Sequence, residues 1–177
     1  MFPVLETDRL ILRQITESDT KDIFSILSQN EVTSYYGQES MKNMEQAKEF
    51  IRFFEGKYHE NRGIRWGIER KSQKGLIGTI GLDALVPNHK RADVGYEIHP
   101  DHWRKGYASE AVSRVLSYGF HTLGLRRIGA VVFPENIASI KLLEKMGFQK
   151  EGLLENYIFQ NGVSHDSYVF SVVNVNA

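Results

Sequence analysis

The most constraining stretch is Asp93-Val94-Gly95-Tyr96-Glu97-Ile98 followed by His102-Trp103-Arg104-Lys105-Gly106-Tyr107-Ala108-Ser109-Glu110-Ala111. A short strand runs into a basic turn with one glycine. A helix then opens, with Ala111, Val112, Val115, Leu116, Phe120 and Leu123 at core spacing. After Gly124 comes the apolar strand Ile128-Gly129-Ala130-Val131-Val132-Phe133. A strand, helix and strand in this order imply a crossover between two near-parallel strands. The first N–H groups of a helix lack intrahelical partners and carry the positive end of its dipole. The turn from Trp103 to Ser109 can therefore seat an anion, its other reading being an ordinary helix N-terminus with solvated basic residues. Gly106 lets the backbone approach a phosphate, and Arg104 and Lys105 add charge.

The surrounding chain gives this unit a mixed α/β setting. Leu5–Arg13 reads as an opening strand with Leu10 and Leu12 on one face. Thr16-Glu17-Ser18-Asp19 resembles a capping box ahead of Ile23, Ile26 and Leu27. A longer helix is predicted from about Met44 to His59, striped by Met44, Ala47, Ile51, Phe54 and Tyr58. Ile64, Trp66 and Ile68 alternate as in a strand, and Leu76–Leu82 and Ala92–Ile98 follow over short links. These three form an antiparallel meander. Asn136 caps a helix holding Ile140, Leu143 and Met146, which Gly147 ends. Strands from about Gln149 to Phe159 and from His165 to Val173 flank the hairpin dipeptide Asn161-Gly162. No linker or repeat divides the chain, so residues 1–177 read as one α/β (α+β) domain.

Composition excludes several classes. Lys+Arg and Asp+Glu both number 22, giving a formal net charge of zero, which argues against polyanion binding such as DNA. There is no cysteine, hence no disulfide, thiol nucleophile or thiolate metal site. His99 and His102 straddle Pro100 with no third ligand in sight, so no metal is expected. No apolar run approaches membrane-spanning length and no signal-peptide pattern opens the chain, so the expectation is a soluble cytoplasmic protein without a membrane partner.

Three segments taken together resemble the GNAT acetyltransferase superfamily, in the branch of the Rim-type ribosomal-protein N-acetyltransferases. They are Leu5-Glu6-Thr7-Asp8-Arg9-Leu10-Ile11-Leu12-Arg13, Arg104-Lys105-Gly106-Tyr107-Ala108, and Asn136-x-x-Ser139-x-x-Leu142-Leu143-Glu144-Lys145-Met146-Gly147-Phe148. The resemblance implies the GNAT fold, a mostly antiparallel sheet whose two central parallel strands splay apart. It implies acetyl-CoA as co-substrate, with its pyrophosphate on the backbone of Arg104 to Ser109 beside Trp103, and its pantetheine arm paired with Ile98. Asn136 would bind or support the arm and Ser139 would lie close to the sulfur.

The chain also departs from the family pattern. A tyrosine that many members carry on the last helix, as acid for the leaving thiolate, is Leu143 here, so the role is vacant. Ser139 is the best replacement, as acid or as hydrogen-bond donor to the thiolate, with a helix-start serine bonded to backbone as its alternative reading. A carboxylate that some Rim-type members carry on the penultimate strand falls at Ile158. Glu97 is the first choice of base for the amine, ahead of Asp93 and Glu155, with a solvated strand residue as its alternative reading. Without cysteine, direct transfer in a ternary complex is the expected route. The leading acceptor is a protein N-terminal α-amine. The rivals are a small amine (polyamine, amino acid or aminoglycoside), a non-catalytic acyl-CoA-binding module and a nucleotide-dependent enzyme. The last is disfavoured because the turn lacks the P-loop and dinucleotide glycine patterns. Tyr35, Tyr36 and Tyr157 are candidates for the acceptor pocket, with Trp66 as core, and a homodimer is compatible with this reading.

Overall fold

A computed structural model describes residues 1–175. Eight strands form one sheet: β1 (Leu5–Glu6), β2 (Leu10–Gln14), β3 (Ile64–Arg70), β4 (Gln73–Val86), β5 (Arg91–Ile98), β6 (Arg127–Val132), β7 (Gln149–Gln160) and β8 (Val163–Val173), in the order β1-β2-β3-β4-β5-β6-β8-β7. The helices are α1 (Thr20–Leu27), α2 (Asn30–Thr33), α3 (Met44–His59), α4 (Tyr107–His121) and α5 (Ile137–Lys145). All sheet neighbours pair antiparallel except β5 and β6.

The β5–β6 pairing decides the architecture. It consists of Arg91 with Arg127, Ala92 with Ile128 and Asp93 with Gly129. Beyond Asp93 the two strands part. β5 continues along β4 as far as Ile98, and β6 continues along β8 as far as Val132. The sheet therefore opens into a V between Val94–Ile98 and Ala130–Val132.

Both faces of the sheet are covered. On one face α4 buries Ala111, Val112, Val115 and Leu116 against Trp66, Ile80, Leu82, Val94, Ile98 and Ile128, and α5 adds Leu143. Phe120 and Leu123 are only half-buried at its margin. On the other face α1 and α3 bring Ile23, Ile26, Leu27, Ala47, Phe50 and Ile51 onto Ile15 and Leu76. Trp66 is fully buried, as its alternation indicates, and its indole N–H donates to the Pro3 carbonyl at 2.8 Å.

One element differs from expectation. Leu5–Arg13 is two antiparallel strands rather than one, with Leu5 opposite Leu12. The turn between them is closed locally, Thr7 N–H donating to the Leu10 carbonyl at 3.0 Å and Leu10 N–H to the Thr7 hydroxyl at 2.9 Å, and is braced from α4. Glu110, in the first turn of α4, accepts from the Arg9 backbone N–H at 2.9 Å, from the Thr7 hydroxyl at 2.5 Å and from Arg9 Nε at 2.7 Å. The other local signals hold. The Asp19 carboxylate accepts from the Thr16 N–H at 2.8 Å, and Asn161 and Gly162 take φ of 52° and 77° in the β7–β8 turn.

Candidate active site

The start of α4 is built for an anion. Gly106 is its N-cap at φ 80°, and no side chain caps the N-terminus. Arg104 is also left-handed, at φ 59°. These two residues bend the chain so that the helix start, with its unpartnered N–H groups, borders a groove of about 670 Å³. Trp103, Arg104, Gly106, Tyr107, Ala108 and Ser109 line that groove, together with Ile98, Asn136, Ser139 and Leu142. Lys105 does not: its ammonium donates to the Asp101 carbonyl at 2.8 Å. The turn is braced by Arg9, which donates to the Lys105 carbonyl at 2.9 Å and lies 4.6 Å from the centre of the Tyr107 ring. Sequence reasoning missed this brace, because Arg9 lies 96 residues from the carbonyl it holds.

Ile98 stands at the mouth of the V. Its carbonyl accepts the Trp103 indole N–H at 2.7 Å, and the next N–H, that of His99, donates to Ile77 on β4 at 2.7 Å. The Ile98 backbone therefore faces the gap. Its carbonyl keeps one lone pair there for an extended ligand. Asn136 is the N-cap of α5, its Oδ1 accepting from the Ser139 N–H at 3.2 Å. Both residues also line the groove.

A second cavity of about 340 Å³ lies across the gap, lined by Tyr35, Tyr36, Phe53, Phe54, Lys57, Arg65 and Asp83 among others. It sits on the α3 face, because Arg65 and Asp83 alternate with the core residues Ile64, Trp66 and Leu82, which point the other way. Arg65 is the centre of a buried cluster. Its guanidinium donates to Asp83 at 2.6 Å, to the Thr79 hydroxyl at 2.9 Å and to Glu97 at 3.3 and 3.4 Å, and it lies 4.4 Å from the Phe54 ring centre. Lys57 approaches Asp83 at 3.6 Å. Burial pushes the Arg65 pKa down, but Asp83 and Glu97 outweigh it and the net shift is upward. Burial pushes the Glu97 carboxyl up, and Arg65 and Thr79 offset part of that rise. Glu97 is thus a buried group held by Arg65 and Thr79, not a solvated strand residue.

The two cavities share Tyr35, Tyr96, Asn136 and Ser139. At that junction the Tyr96 hydroxyl and Ser139 Oγ are 2.7 Å apart. Burial pushes the Tyr96 phenol up to about 12, with the Ser139 hydrogen bond acting the other way. Tyr96 is the residue that sequence reasoning passed over. Period-two alternation puts it on the same side as Ile98, so the signal was available. Leu143, at the position of the family's helix tyrosine, is buried in the core. Ile158 packs beside Gly37 and pairs with His165. Asp93, its pKa raised by burial, sits where β5 and β6 are still paired, away from the open end. Tyr157 is exposed and lines neither cavity, in contrast to Tyr35 and Tyr36. Among the described residues no group of His, Asp or Glu is placed to hold a metal ion, and no helix is long and apolar enough to cross a membrane.

The comparisons agree with this geometry. A family model described as an acetyltransferase (GNAT) domain matches residues 9–149. An uncharacterized N-acetyltransferase of Bacillus subtilis, YoaA, is 61% identical over 173 residues, covering 98% of each chain. The solved structure of a spermidine N-acetyltransferase from Vibrio cholerae, in complex with CoA and spermine, superposes with TM-score 0.83 at 28% identity, covering 94% of this chain and 96% of the other. A ribosomal-protein-S5-alanine acetyltransferase from Vibrio fischeri shares the fold at TM-score 0.83 and 24% identity, with 98% of each chain covered. A β5–β6 pair that splays beside an uncapped helix start, matched over most of its length by that family model, makes this chain a member of the GNAT acetyltransferases and an N-acetyltransferase.

Proposed function

We propose that the chain transfers the acetyl group of acetyl-CoA directly to an amine in a ternary complex, and that its acceptor is the N-terminal α-amine of a peptide. The observation that carries this reading is the meeting of the two cavities at Ser139. The groove on the α4 face suits the donor. The N–H groups of the uncapped helix start and Arg104 would hold the pyrophosphate, and the Ile98 backbone would pair with the arm. The thioester would then lie at Ser139, with the pocket on the α3 face directly beyond it for the amine. Acetyl-CoA supplies an activated acyl group. The protein's part is to align that group with the amine and to manage charge and protons.

The acceptor is argued from charge. Lys57 and Arg65 are balanced by Asp83 and Glu97, and Asp83 already holds both cations. Asp83, the carboxylate lining the pocket, already faces Lys57 and Arg65, which disfavours a polycation, whereas Phe53, Phe54, Tyr35 and Tyr36 offer contact to the first side chain of a peptide. A peptide α-amine titrates at roughly 7.7–8.0, so much of it is neutral near that pH without a dedicated base. Glu97, which lines the donor groove but is committed to Arg65, is assigned to holding that guanidinium in place rather than to taking the amine proton. The second reading is a small polyamine acceptor, favoured by likeness to the spermidine acetyltransferase. The test is CoA release from acetyl-CoA with a panel of free-amine peptides, N-blocked peptides carrying lysine, and polyamines. Turnover on free N-termini is expected. Turnover confined to spermidine or spermine would overturn the peptide assignment and leave the donor site intact.

A further inference from the structure

Proton traffic in this site is not explained by Ser139 alone. When the amine nitrogen bonds to the acetyl carbon and the carbon–sulfur bond breaks, the electron pair of that bond goes to sulfur. One proton must leave nitrogen and one must reach sulfur. The position of the family's helix tyrosine is filled by buried Leu143, and Glu97 faces Arg65. Tyr96 and Ser139 both line both cavities, and their hydroxyls are in hydrogen-bond contact.

We propose that the Tyr96 hydroxyl, bonded to Ser139 at 2.7 Å in the gap between β5 and β6, carries the amine proton across to the CoA sulfur. The nitrogen of the tetrahedral adduct gives its proton to the Tyr96 oxygen. The Tyr96 proton passes to Ser139 Oγ, and the Ser139 proton passes to the departing sulfur. Both hydroxyls are restored, so the step needs no outside acid or base. This inference rests on the donor and acceptor assignment above but does not depend on which amine is used.

The energetics select a relay over a lone acid. A phenol held near 12 is a weaker acid than a thiol of roughly 8.5, so a stranded phenolate beside neutral thiol lies uphill. Accepting the adduct's proton as its own departs removes that state. Ser139 alone, as a hydroxyl, could hydrogen-bond to the thiolate but would have no source of replacement proton.

The test uses Tyr96→Phe, Ser139→Ala and the double variant, on whichever amine the wild-type protein acetylates best. Tyr96→Phe removes only the hydroxyl, and unchanged acetyl-CoA affinity certifies the fold. Turnover should fall about 100-fold in each single variant, and the double variant should be no worse than the poorer single, because both act on one path. A solvent isotope effect reporting more than one proton in flight should be present in the wild-type protein and lost in Tyr96→Phe. Turnover of Tyr96→Phe within about threefold of wild type, or single losses that multiply in the double variant, would overturn the relay. A second readout needs no acceptor. Thiolate absorbance of bound CoA should titrate about one pH unit lower in the wild-type complex than in Tyr96→Phe. Equal titration would also overturn it. Failure of the peptide assignment would appear separately, as wild-type turnover on small amines alone.

Discussion

Gly106→Asp tests the donor seat by charge. Gly106 sits at φ 80°, a conformation that Asp and Asn tolerate better than most residues, at a cost of about 1 kcal/mol relative to glycine. A Cβ added there would lie 3.3 Å from Arg9 Nη2, the far end of a flexible side chain, so the fold can accommodate it. At a helix N-terminus a carboxylate is itself favourable, by about 0.3–1 kcal/mol. Asp should therefore fold at least as stably as Asn at this position. Binding is another matter. A carboxylate about 4 Å from one phosphate charge, at an effective dielectric near 20, costs about 4 kcal/mol, or roughly three decades in affinity. Arg9 is close enough to neutralise part of that charge, so roughly 100-fold is the expected loss. Calorimetric titration of CoA into Gly106→Asp and Gly106→Asn, with melting curves for both, separates the effects. Gly106→Asn should weaken CoA by less than tenfold and Gly106→Asp by about 100-fold more than Gly106→Asn, with equal or higher melting temperature for Asp. Affinities of the two variants within threefold of each other would refute the placement of a phosphate at this helix start.

Two further substitutions probe buried charges, one beside the site and one at the start of α1. Glu97→Gln should destabilise the fold by about 3 kcal/mol, because Arg65 stays buried with Asp83 as its one remaining carboxylate, and thermal melting should fall by roughly 6–12 °C. Turnover should drop less than tenfold, whereas a 100-fold drop at unchanged stability would make Glu97 the base after all. On the α1 side, burial pushes the Asp19 carboxyl up, but hydrogen bonds from Arg13 and the Thr16 N–H more than offset this and hold it below its ordinary 3.8. The charged form is thus favoured by folding, so its stabilisation is complete above pH 3.8 and is lost as pH falls through the depressed folded value. Asp19→Asn should cost roughly 2 kcal/mol near neutrality, and that gap should narrow in denaturant melts taken below pH 3.8. A gap independent of pH would refute the ion-pair account.

Legibility in the sequence followed the range of the interactions. The β5–α4–β6 unit, the Asn136 cap and the Asn161-Gly162 hairpin were readable because each is fixed by neighbours a few residues away. The bracing of the β1–β2 turn was not, because the carboxylate that takes the Arg9 N–H comes from distant Glu110. The burial of Arg65 and Glu97 was not legible for another reason. Alternation marks Ile64, Trp66, Ile68 and Ile98 as one buried face, and by default leaves the intervening residues to solvent. Here α3 covers that second face, so its charges are buried and must pair with each other. One-faced strand reading fails wherever a sheet is sandwiched, and in this protein the failure falls on the pocket of the α3 face.

The V also explains why the donor side was the more readable half. A sheet interior normally satisfies every backbone N–H and C=O, yet β5 and β6 pair only through Asp93 and Gly129. The strand edges beyond are polar backbone without a strand partner, inside the molecule rather than at its rim. Trp103 meets one of these groups by donating to Ile98, and an extended amide-bearing arm is the natural partner for the rest. Such a site selects for backbone geometry, so its signature is secondary structure and a glycine turn, which sequence periodicity records. The pocket proposed for the acceptor is lined by Tyr35, Tyr36, Phe53, Phe54, Lys57, Arg65 and Asp83, brought from four separate segments. No local pattern binds those residues together, and their joint chemistry emerges only when α3 closes over the sheet.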